Sequence, residues 1–509
     1  MVTRTEEISI KALLSKLFAM LPRGGQSGVW TASVIILSIG TWVGKVGPRP
    51  ADGETAHLTS PRDRLETVRQ VLSEVPLIDG HNDLPWNIRN FVHNQLAEFD
   101  FDKDLRQVAP WSKSAWSQTD LVRLRQGMVG GQFWAAYVPC ESQHLNAVQL
   151  TLEQVDLIKR LIEKYSQHMQ FAASSTEILD AHERGRIASL IGVEGGHSLG
   201  SSLAVLRTLY QLGVRYLTLT HTCNTPWAKS SSVEDEDEDV VQEMNRLGML
   251  IDLSHTARAT MRDALRASKA PVIFSHSSAF AICNSSRNVP DDILKQLGES
   301  QGSTLDKQLR EDPRINSRQH KQLREKFFDE ILTNIGNSYG KGGMYDPDEM
   351  RLGENIAVDF VEERAAVVAA ANGGLVMVTF YNYFVKCGSQ ATVSDVAEHI
   401  YYIRNLIGVD HIGVGGDFDG INKTPRGLED VSKYPELFAE LLRSGQWNVY
   451  DLKKVAGLNL LRVLQKVEKV RDDMRTAGMT PSEEYLQDSP DATGSCALDI
   501  NSVQTVMEI

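Results

Sequence analysis

Short apolar runs alternate with longer segments of helical periodicity along most of the chain. Each run is four to seven residues long, rich in aliphatic side chains and bounded by polar residues or glycine, which predicts buried β-strands. The eight runs are Val75–Ile78, Gln132–Val138, Ala188–Val193, Val214–Leu219, Met249–Leu253, Pro271–Phe274, Leu375–Phe380 and His411–Val414.

The segments between these runs carry apolar residues at helical spacing and therefore predict helices. Ser394 stands where a side chain is expected to cap the N-terminus of one of them. The predicted helices are Arg64–Ser73, Leu152–His168, Ser202–Leu212, Ala257–Ser268, Ser394–Leu406, Pro435–Leu442 and Val449–Lys466.

Strands that alternate with helices predict a parallel sheet. Eight such units favour an α/β fold in which the sheet closes into a (β/α)8 TIM-like barrel, with chemical groups at the carboxyl ends of the strands. A doubly wound open sheet is the structural alternative, although it does not normally gather polar groups from so many strand ends. The barrel is expected to span residues 63–470.

Two segments interrupt the alternation. Glu234–Asp239 is a run of six acidic residues, which is typical of a solvated loop before a helix and less typical of an extra metal site. The segment from about 299 to 364 is charged, contains one predicted helix at Gln322–Ile335, and is far longer than an ordinary connection. We interpret it as a partly mobile insertion on the rim of the barrel.

The N-terminal region predicts export. Residues 28–46 are almost wholly apolar, and basic residues lie in the preceding segment 1–27. This pattern predicts a cytoplasmic n-region followed by a signal anchor or a signal peptide. A retained anchor is favoured because no cleavage site is clear. Residues 47–62 are expected to be a linker and residues 471–509 a disordered polar tail without a glycolipid signal. The protein is therefore expected to be membrane-attached and extracellular-facing, or secreted.

Composition and net charge indicate which classes of binding partner are unsuited to this chain. The net charge is -13 and 42% of residues are hydrophobic, which suits a globular core and argues against nucleic acid. The five cysteines form no C-x-x-C pair, and their odd number leaves at least one unpaired within the chain. Asn284 and Asn422 begin formal glycosylation acceptor sequences.

Polar side chains with metal-binding capacity recur just after the apolar runs. A single histidine of this kind is usually structural, but seven groups at equivalent places in successive units are difficult to explain that way. They are His81, Asp83, Glu194, His221, His255, His276 and Asp417.

The donor types suggest a centre with two metal ions. Glu194 can bridge two ions, while His81 and Asp83 complete one and His255 and His276 complete the other. Each ion then keeps an open position for water or substrate, as a catalytic site requires. A hydroxide between the ions is the expected nucleophile.

At this point the sequence resembles a known family, the membrane (renal-type) dipeptidases, which are zinc peptidases. The resemblance covers roughly residues 64–470 apart from the insertion. Its motifs keep the family's order: Asp79–Trp86 (DGHNDLPW), Gly192–His197 (GVEGGH), Leu219–Trp227 (LTHTCNTPW), Ile251–His255 (IDLSH), Phe274–Ala279 (FSHSSA), Arg287–Asp292 (RNVPDD) and Gly415–Gly420 (GGDFDG).

The resemblance implies a barrel of the metal-dependent hydrolase type with two zinc ions per chain. His81 and Asp83 match the family's ligands to one zinc ion. Glu194 matches the bridging carboxylate, and His255 and His276 match the ligands to the other ion.

Three further residues match substrate-handling positions of the family. His221 matches the histidine that steadies the tetrahedral intermediate, and Arg287 matches the arginine that holds the substrate carboxylate. Asp417 matches the carboxylate that handles the proton and the amine. With Glu194, the residues His221 and Asp417 form the expected catalytic set.

The resemblance also implies a pattern of cysteine pairing. The family's disulfides correspond to Cys140–Cys223 and Cys283–Cys387. Cys496 lies near the tail cysteine that links two subunits in some members, so a homodimer is expected.

The chain departs from the family in ways that bear on specificity. The insertion has no counterpart, and the loop after Trp227 is short and acidic. Phe384 stands where a tyrosine is expected near the substrate.

The sequence thus predicts a zinc dipeptidase. The resemblance adds cysteinylglycine conjugates, leukotriene D4 and β-lactams as candidate substrates. Two other functions stay open: a catalytically silent surface binding protein on the same fold, and a related amidohydrolase that acts on acylated amino acids.

Overall fold

A computed structural model describes residues 60–231, 239–298, 372–483 and 486. The predicted N-terminal apolar segment, most of the acidic run, the insertion with its helix, and Cys496 lie outside these residues. Asp239, the last residue of the acidic run, begins a helix. Within the described ranges, no helix is both long and apolar enough to cross a membrane.

Within the described residues, nine strands form the sheet, and all of their pairings are parallel. In chain order they are β1 (Leu77–Asn82), β2 (Val129–Tyr137), β3 (Met169–Phe171), β4 (Ile187–Glu194), β5 (Val214–Thr218), β6 (Leu250–Asp252), β7 (Ile273–Phe274), β8 (Leu375–Val378) and β9 (Ile412–Val414).

Helices surround the sheet and connect its strands. They are α1 (Pro61–Glu74), α2 (Leu84–Val92), α3 (Leu121–Gln126), α4 (Ala147–Lys164), α5 (Ser175–Glu183), α6 (Leu203–Gln211), α7 (Asp239–Leu247), α8 (Arg258–Ala267), α9 (Asp291–Leu297), α10 (Asn382–Val385), α11 (Val393–Ile407), α12 (Tyr434–Arg443), α13 (Val449–Lys453) and α14 (Asn459–Thr476).

Eight of the strands close into a ring. Neighbouring strands follow the order β2-β1-β9-β8-β7-β6-β5-β4, and β4 pairs with β2 to complete the circle. The ninth strand, β3, pairs with the start of β4, whereas β5 pairs with its second half. The predicted (β/α)8 barrel is therefore confirmed. One short extra strand, β3, lies beside the N-terminal end of β4.

Burial on both faces explains the apolar composition of the strands. All eight residues of β4 are buried, as expected for a parallel strand that faces the barrel interior on one side and helices on the other. Helix α4 buries Val155, Ile158 and Ile162, which lie three or four residues apart and form one apolar face toward the sheet.

Two sequence predictions need correction at helix ends. The N-cap of α11 is Thr392, not Ser394. The Thr392 side chain accepts a hydrogen bond from the Asp395 backbone N–H, and the Asp395 carboxylate accepts one from the Thr392 backbone N–H. The last helical stretch continues to Thr476 after a π-helical turn at Lys454–Leu458. The polar tail therefore begins later than residue 471.

Candidate metal centre and active site

Strand β1 delivers the first pair of donors. His81 and Asp83 are both buried, and Nε2 of His81 lies 3.1 Å from Oδ2 of Asp83. The Asp83 backbone N–H donates to the carbonyl of Phe418, 3.0 Å away. This bond fixes the end of β1 beside the loop that follows β9.

Glu194, the last residue of β4, lies at the centre of the cluster. Its Oε1 atom is 3.0 Å from Nε2 of His255 and 3.4 Å from Nε2 of His276. Its Oε2 atom is 3.5 Å from Nε2 of His81. The two oxygens thus face different histidines, which is the arrangement that a bridging carboxylate requires.

His255 and His276 follow β6 and β7 and point at each other. Their Nε2 atoms are only 3.0 Å apart, and both rings are buried. Two imidazole nitrogens at this distance either share one proton or direct their lone pairs at a common cation. A cation satisfies both nitrogens and the facing Glu194 carboxylate at once.

The donor atoms form three overlapping groups within which every atom lies within 4.8 Å of the others. The groups are His81–Asp83–Glu194, Glu194–His255–His276 and His81–His276–Asp417. Imidazole nitrogens mixed with carboxylate oxygens are the ligand set that zinc takes in catalytic sites. The residues therefore fit a metal centre. Asp417, whose predicted role is to handle the proton and the amine, also lies among the candidate metal donors.

Electrostatics within the cluster favour a charged carboxylate at its centre. Burial alone would raise the pKa of Glu194, but the surrounding imidazoles of His81, His255 and His276 hold this pKa well below its ordinary value. Burial raises the pKa of Asp83 and that of Asp417. Glu194 is thus the carboxylate that the fold most strongly keeps ionised.

His221 lies beside the cluster without joining the donor groups. Its ring centroid is 4.3 Å from that of His255 and 4.9 Å from that of Tyr137. Burial lowers the pKa of His221 to about 4. The imidazole is therefore neutral near pH 7 and can donate an N–H to a substrate oxygen.

Arg287 presents a buried cation with free donors. Its three guanidinium nitrogens are buried and have no hydrogen-bond partner among the described residues. The guanidinium carbon lies 5.1 Å from the centroid of the Phe384 ring, a distance at which the ring face attracts the cation. A buried guanidinium without an acceptor is costly, so this one is suited to bind an anion.

The two disulfides implied by the resemblance are both present. Cys140 bonds to Cys223 and Cys283 to Cys387, with Cα–Cα distances of 5.7 Å and 5.5 Å. Sγ of Cys140 lies 4.0 Å from Nδ1 of His221. The first disulfide therefore holds the loop that carries His221.

The two glycosylation acceptors are exposed at the surface. Asn284 and Asn422 are both solvent-accessible, so their positions allow modification. Oδ1 of Asn422 accepts a hydrogen bond from the Tyr381 hydroxyl over 3.4 Å.

Sequence reasoning missed the residues that support these donors. Asp79 accepts hydrogen bonds from the backbone N–H of Gly416 and the hydroxyl of Tyr434, at 2.8 and 2.5 Å. Tyr216 lies 2.9 Å from Nδ1 of His81. Asp79 belongs to the motif DGHNDLPW, whereas Tyr216 lies inside an apolar strand, where nothing in the sequence marks it as a partner of His81.

Comparison with known proteins decides the family. The profile of the membrane dipeptidase family (peptidase family M19) matches residues 65–305 and 365–478, which is more than half of the chain. The chain belongs to the membrane dipeptidase family. This membership confirms the resemblance inferred from the motifs and the enzyme class that it implied, a dipeptidase-type metallopeptidase.

Several members of the family are clearly similar in sequence. The chain is 39% identical to dipeptidase 3 of Rattus norvegicus over 437 residues, which cover 84% of this chain and 71% of the relative. It is 40% identical to dipeptidase 3 of Macaca fascicularis over 437 residues, covering 84% and 72% of the two chains.

Solved structures of more distant proteins share the fold. A crystal structure of dipeptidase AC, a metallopeptidase of family M19, has a TM-score of 0.56 at 20% identity and covers 77% of this chain and 98% of its own. A metallopeptidase from Rhodobacter sphaeroides, liganded with a phosphinate mimic of the dipeptide L-Ala-D-Ala, has a TM-score of 0.55 at 19% identity, covering 77% and 99%. At these identities the likeness supports the barrel fold alone.

Proposed function

We propose that this member of the membrane dipeptidase family hydrolyses dipeptides with the help of two zinc ions. The observation that carries the proposal is the position of Glu194, whose two carboxylate oxygens lie 3.0 to 3.5 Å from three histidine nitrogens. His81 and Asp83 would hold one ion, and His255 and His276 the other, with Glu194 between them. When bound, such ions polarise a carbonyl group and lower the pKa of a water molecule.

Three residues near the donors have roles in substrate binding and proton transfer. Arg287 binds the terminal carboxylate of the substrate, since its guanidinium is buried and has no acceptor among the residues that the structure describes. His221 donates an N–H to the oxygen of the carbonyl under attack, as a preorganised donor does in an oxyanion hole. Asp417 lies within 4.8 Å of the donor atoms of His81 and His276, where it can deliver a proton to the leaving amine. Recognition of both ends of the substrate favours dipeptides over longer peptides.

The cellular setting is part of the proposal. The two disulfides of the barrel are typical of an oxidising compartment, which supports export through the N-terminal apolar segment. We infer that the barrel faces the outside of the cell, attached by that segment or secreted. The pairing of two subunits through Cys496 is tested by comparing the wild type with Cys496→Ser on a non-reducing gel.

The central experiment measures cysteinylglycine and glycyl-D-alanine hydrolysis with and without a zinc chelator. We expect turnover that the chelator abolishes and added zinc restores. Leukotriene D4 and a β-lactam are then tested as further substrates. A purified protein that contains two zinc ions but cleaves no dipeptide would contradict the proposed activity and favour a binding protein on the same fold.

A matched pair of variants tests the role of Glu194. Glu194→Gln keeps the size of the side chain but removes the charge that faces the three histidines, so we expect loss of bound zinc and of turnover. Glu398→Gln makes the same chemical change at an exposed position of α11 and should leave both unchanged. Full turnover in Glu194→Gln would refute the proposed centre.

A further inference from the structure

A buried carboxylate that is not among the metal donors lies at the end of β6. Asp252 is fully buried, and its Oδ1 atom accepts the backbone N–H groups of Ser254 and Ser275, at 3.1 and 2.8 Å. Its Oδ2 atom accepts the hydroxyl groups of Thr218 and Ser275, both at 2.6 Å. Asp252 thereby joins the ends of β5, β6 and β7.

Ser275 connects this carboxylate to a predicted zinc ligand. Its Oγ atom lies 2.6 Å from Oδ2 of Asp252 and 2.8 Å from Nδ1 of His276. A serine hydroxyl has one proton to donate. Asp252 accepts the hydrogen bond from this hydroxyl, because two acceptor oxygens without a proton between them would repel each other at 2.6 Å.

The direction of this chain fixes the tautomer of His276. Since the Ser275 hydroxyl donates to Asp252, it must accept from His276, and Nδ1 of His276 therefore carries the proton. The other nitrogen, Nε2, then keeps its lone pair and directs it toward Glu194, 3.4 Å away. A carboxylate that polarises a histidine in this way makes it a stronger metal ligand.

The neighbouring histidine lacks this support. Nδ1 of His255 is buried and has no hydrogen-bond partner within the described part of the chain. His81, in contrast, has the Tyr216 hydroxyl 2.9 Å from its Nδ1 atom. The three histidines that face Glu194 therefore have different support from their surroundings. Among the described residues, only His276 of the three is linked to a buried carboxylate through a hydroxyl group.

We propose that Ser275 and Asp252 are positioning residues that set the tautomer of His276 and strengthen its hold on zinc. This inference rests on the proposed function, because it assumes that His276 binds the metal. Both residues are fully buried, whereas the substrate must reach the site from solvent. Their removal should therefore change zinc affinity and the geometry of the bound metal before it changes substrate binding.

The test compares variants by zinc affinity, measured in competition with a chromophoric chelator. Ser275→Ala breaks the chain, and we expect roughly 10- to 100-fold weaker binding of one of the two zinc ions. Ser275→Thr keeps the hydroxyl and should restore the affinity. Thr218→Val removes the other hydroxyl from the same carboxylate oxygen and serves as the matched control, with zinc affinity near that of the wild type.

A spectroscopic measurement reports on the metal directly. In protein loaded with Co²⁺, the visible absorption bands of Ser275→Ala should differ from those of the wild type, while those of Thr218→Val should not. KM for a dipeptide should stay unchanged while kcat falls. If Ser275→Ala does not fold, Asp252→Asn gives the same test, because it removes the charge that orients the hydroxyl.

The outcomes separate this inference from the proposed function. A wild type that binds two zinc ions and cleaves dipeptides, with unaltered zinc affinity in Ser275→Ala and Asp252→Asn, would overturn the inference alone. Equal loss of affinity in Ser275→Ala and Thr218→Val would also overturn it, since packing would then explain both. A wild type that binds no zinc would overturn the proposed function and this inference with it.

Discussion

Two residues of the site hold backbone conformations that non-glycine residues rarely adopt. His255 has a φ of 66° and Asp417 a φ of 62°. Such conformations cost on the order of 1–3 kcal/mol each and persist only where the surroundings enforce them. At His255 and Asp417, the left-handed backbone directs the side chain into the cluster. This conformation lowers local stability but positions a side chain of the candidate site.

Substitution of Arg287 should change substrate binding selectively. The guanidinium has no acceptor within the described part of the protein, and a hydrogen bond to a charged group contributes about 1.5–3 kcal/mol. Arg287→Ala should therefore raise KM for dipeptides by roughly 10- to 150-fold. Steady-state kinetics with a dipeptide and its C-terminal amide measure the effect, which should be absent for the amide.

Arg287→Lys provides the control for charge without geometry. It should recover only part of the loss, because an ammonium group lacks the planar fork of a guanidinium. An equal effect of Arg287→Ala on the dipeptide and on its amide would contradict carboxylate recognition by Arg287.

At the scale of single elements, the sequence predicts the eight barrel strands but misses the short strand β3 and the N-cap of α11. β3 was missed because it is only three residues long and pairs only with the start of β4, so it has neither a long apolar run nor a polar end. Residue type alone predicts Ser394 as the cap of α11, although Thr392 also fits. Only the reciprocal bonds between Thr392 and Asp395 distinguish the two.

The two candidate caps can be compared directly. Thr392→Ala removes one half of the capping box and should lower the free energy of unfolding by about 1 kcal/mol. Ser394 is exposed and donates its hydroxyl to Glu440 over 2.6 Å. Ser394→Ala should therefore cost less, and denaturant unfolding of the two variants measures the difference. A greater loss in Ser394→Ala would restore the cap predicted from sequence.

Glu243 links two helices to the segment that follows the last one. Its carboxylate accepts from Arg246 of α7 at 2.7 Å, from Arg207 of α6 at 3.0 Å and from the backbone of Ser482 at 3.3 Å. Burial opposes ionisation, but the bonds to Arg246 and Arg207 lower the pKa of Glu243 below its ordinary value of 4.5. The resulting stabilisation is present above pH 4.5 and is lost as pH falls through the lowered pKa.

This pH dependence predicts a difference between variants. At pH 7, Glu243→Gln should melt at a lower temperature than the wild type, and the gap should narrow as pH falls below about 4.5. Melting temperatures at several pH values measure it, with the exposed Glu398→Gln as reference. A gap that stays constant with pH would show that the charge of Glu243 contributes nothing.

For the whole molecule, the sequence predicts which polar residues gather at the candidate site but not the residues that support them. His81, Glu194 and His276 were found because polar donors stand out after apolar runs. Tyr216 and Asp252 were not, since each is a single polar group within a strand, and their partners come from other strands. The pairing of neighbouring strands brings these groups together. The Tyr216 ring, for example, packs where Gly192 leaves room, because a Cβ atom there would collide with it.

The two disulfides should affect different kinetic constants. Each closes a long loop, with sequence separations of 83 and 104 residues, and its loss should cost about 4–5 kcal/mol of stability. Removal of Cys140–Cys223 by paired serine substitution frees the loop of His221 and should lower kcat. Removal of Cys283–Cys387, which flanks Arg287 and Phe384, should raise KM.

Thermal unfolding and steady-state kinetics of the two double variants test this pair of expectations. Each variant is the control for the other, since both lose one bridge of comparable loop length. The same change in kcat and KM for both would contradict a local role for either disulfide.

The closure of the barrel has a consequence for biosynthesis. β1 pairs with β9, where Asp79 lies opposite Val414, although the two strands are separated by most of the chain. While the protein is being made, His81, Asp83, Glu194, His255 and His276 leave the ribosome long before β9 does. Until then β1 and β8 each have an unpaired edge, which is a surface prone to aggregation. The nascent chain thus carries nearly all of its candidate metal donors on an open sheet, and the candidate site becomes whole only when the last strand closes the ring.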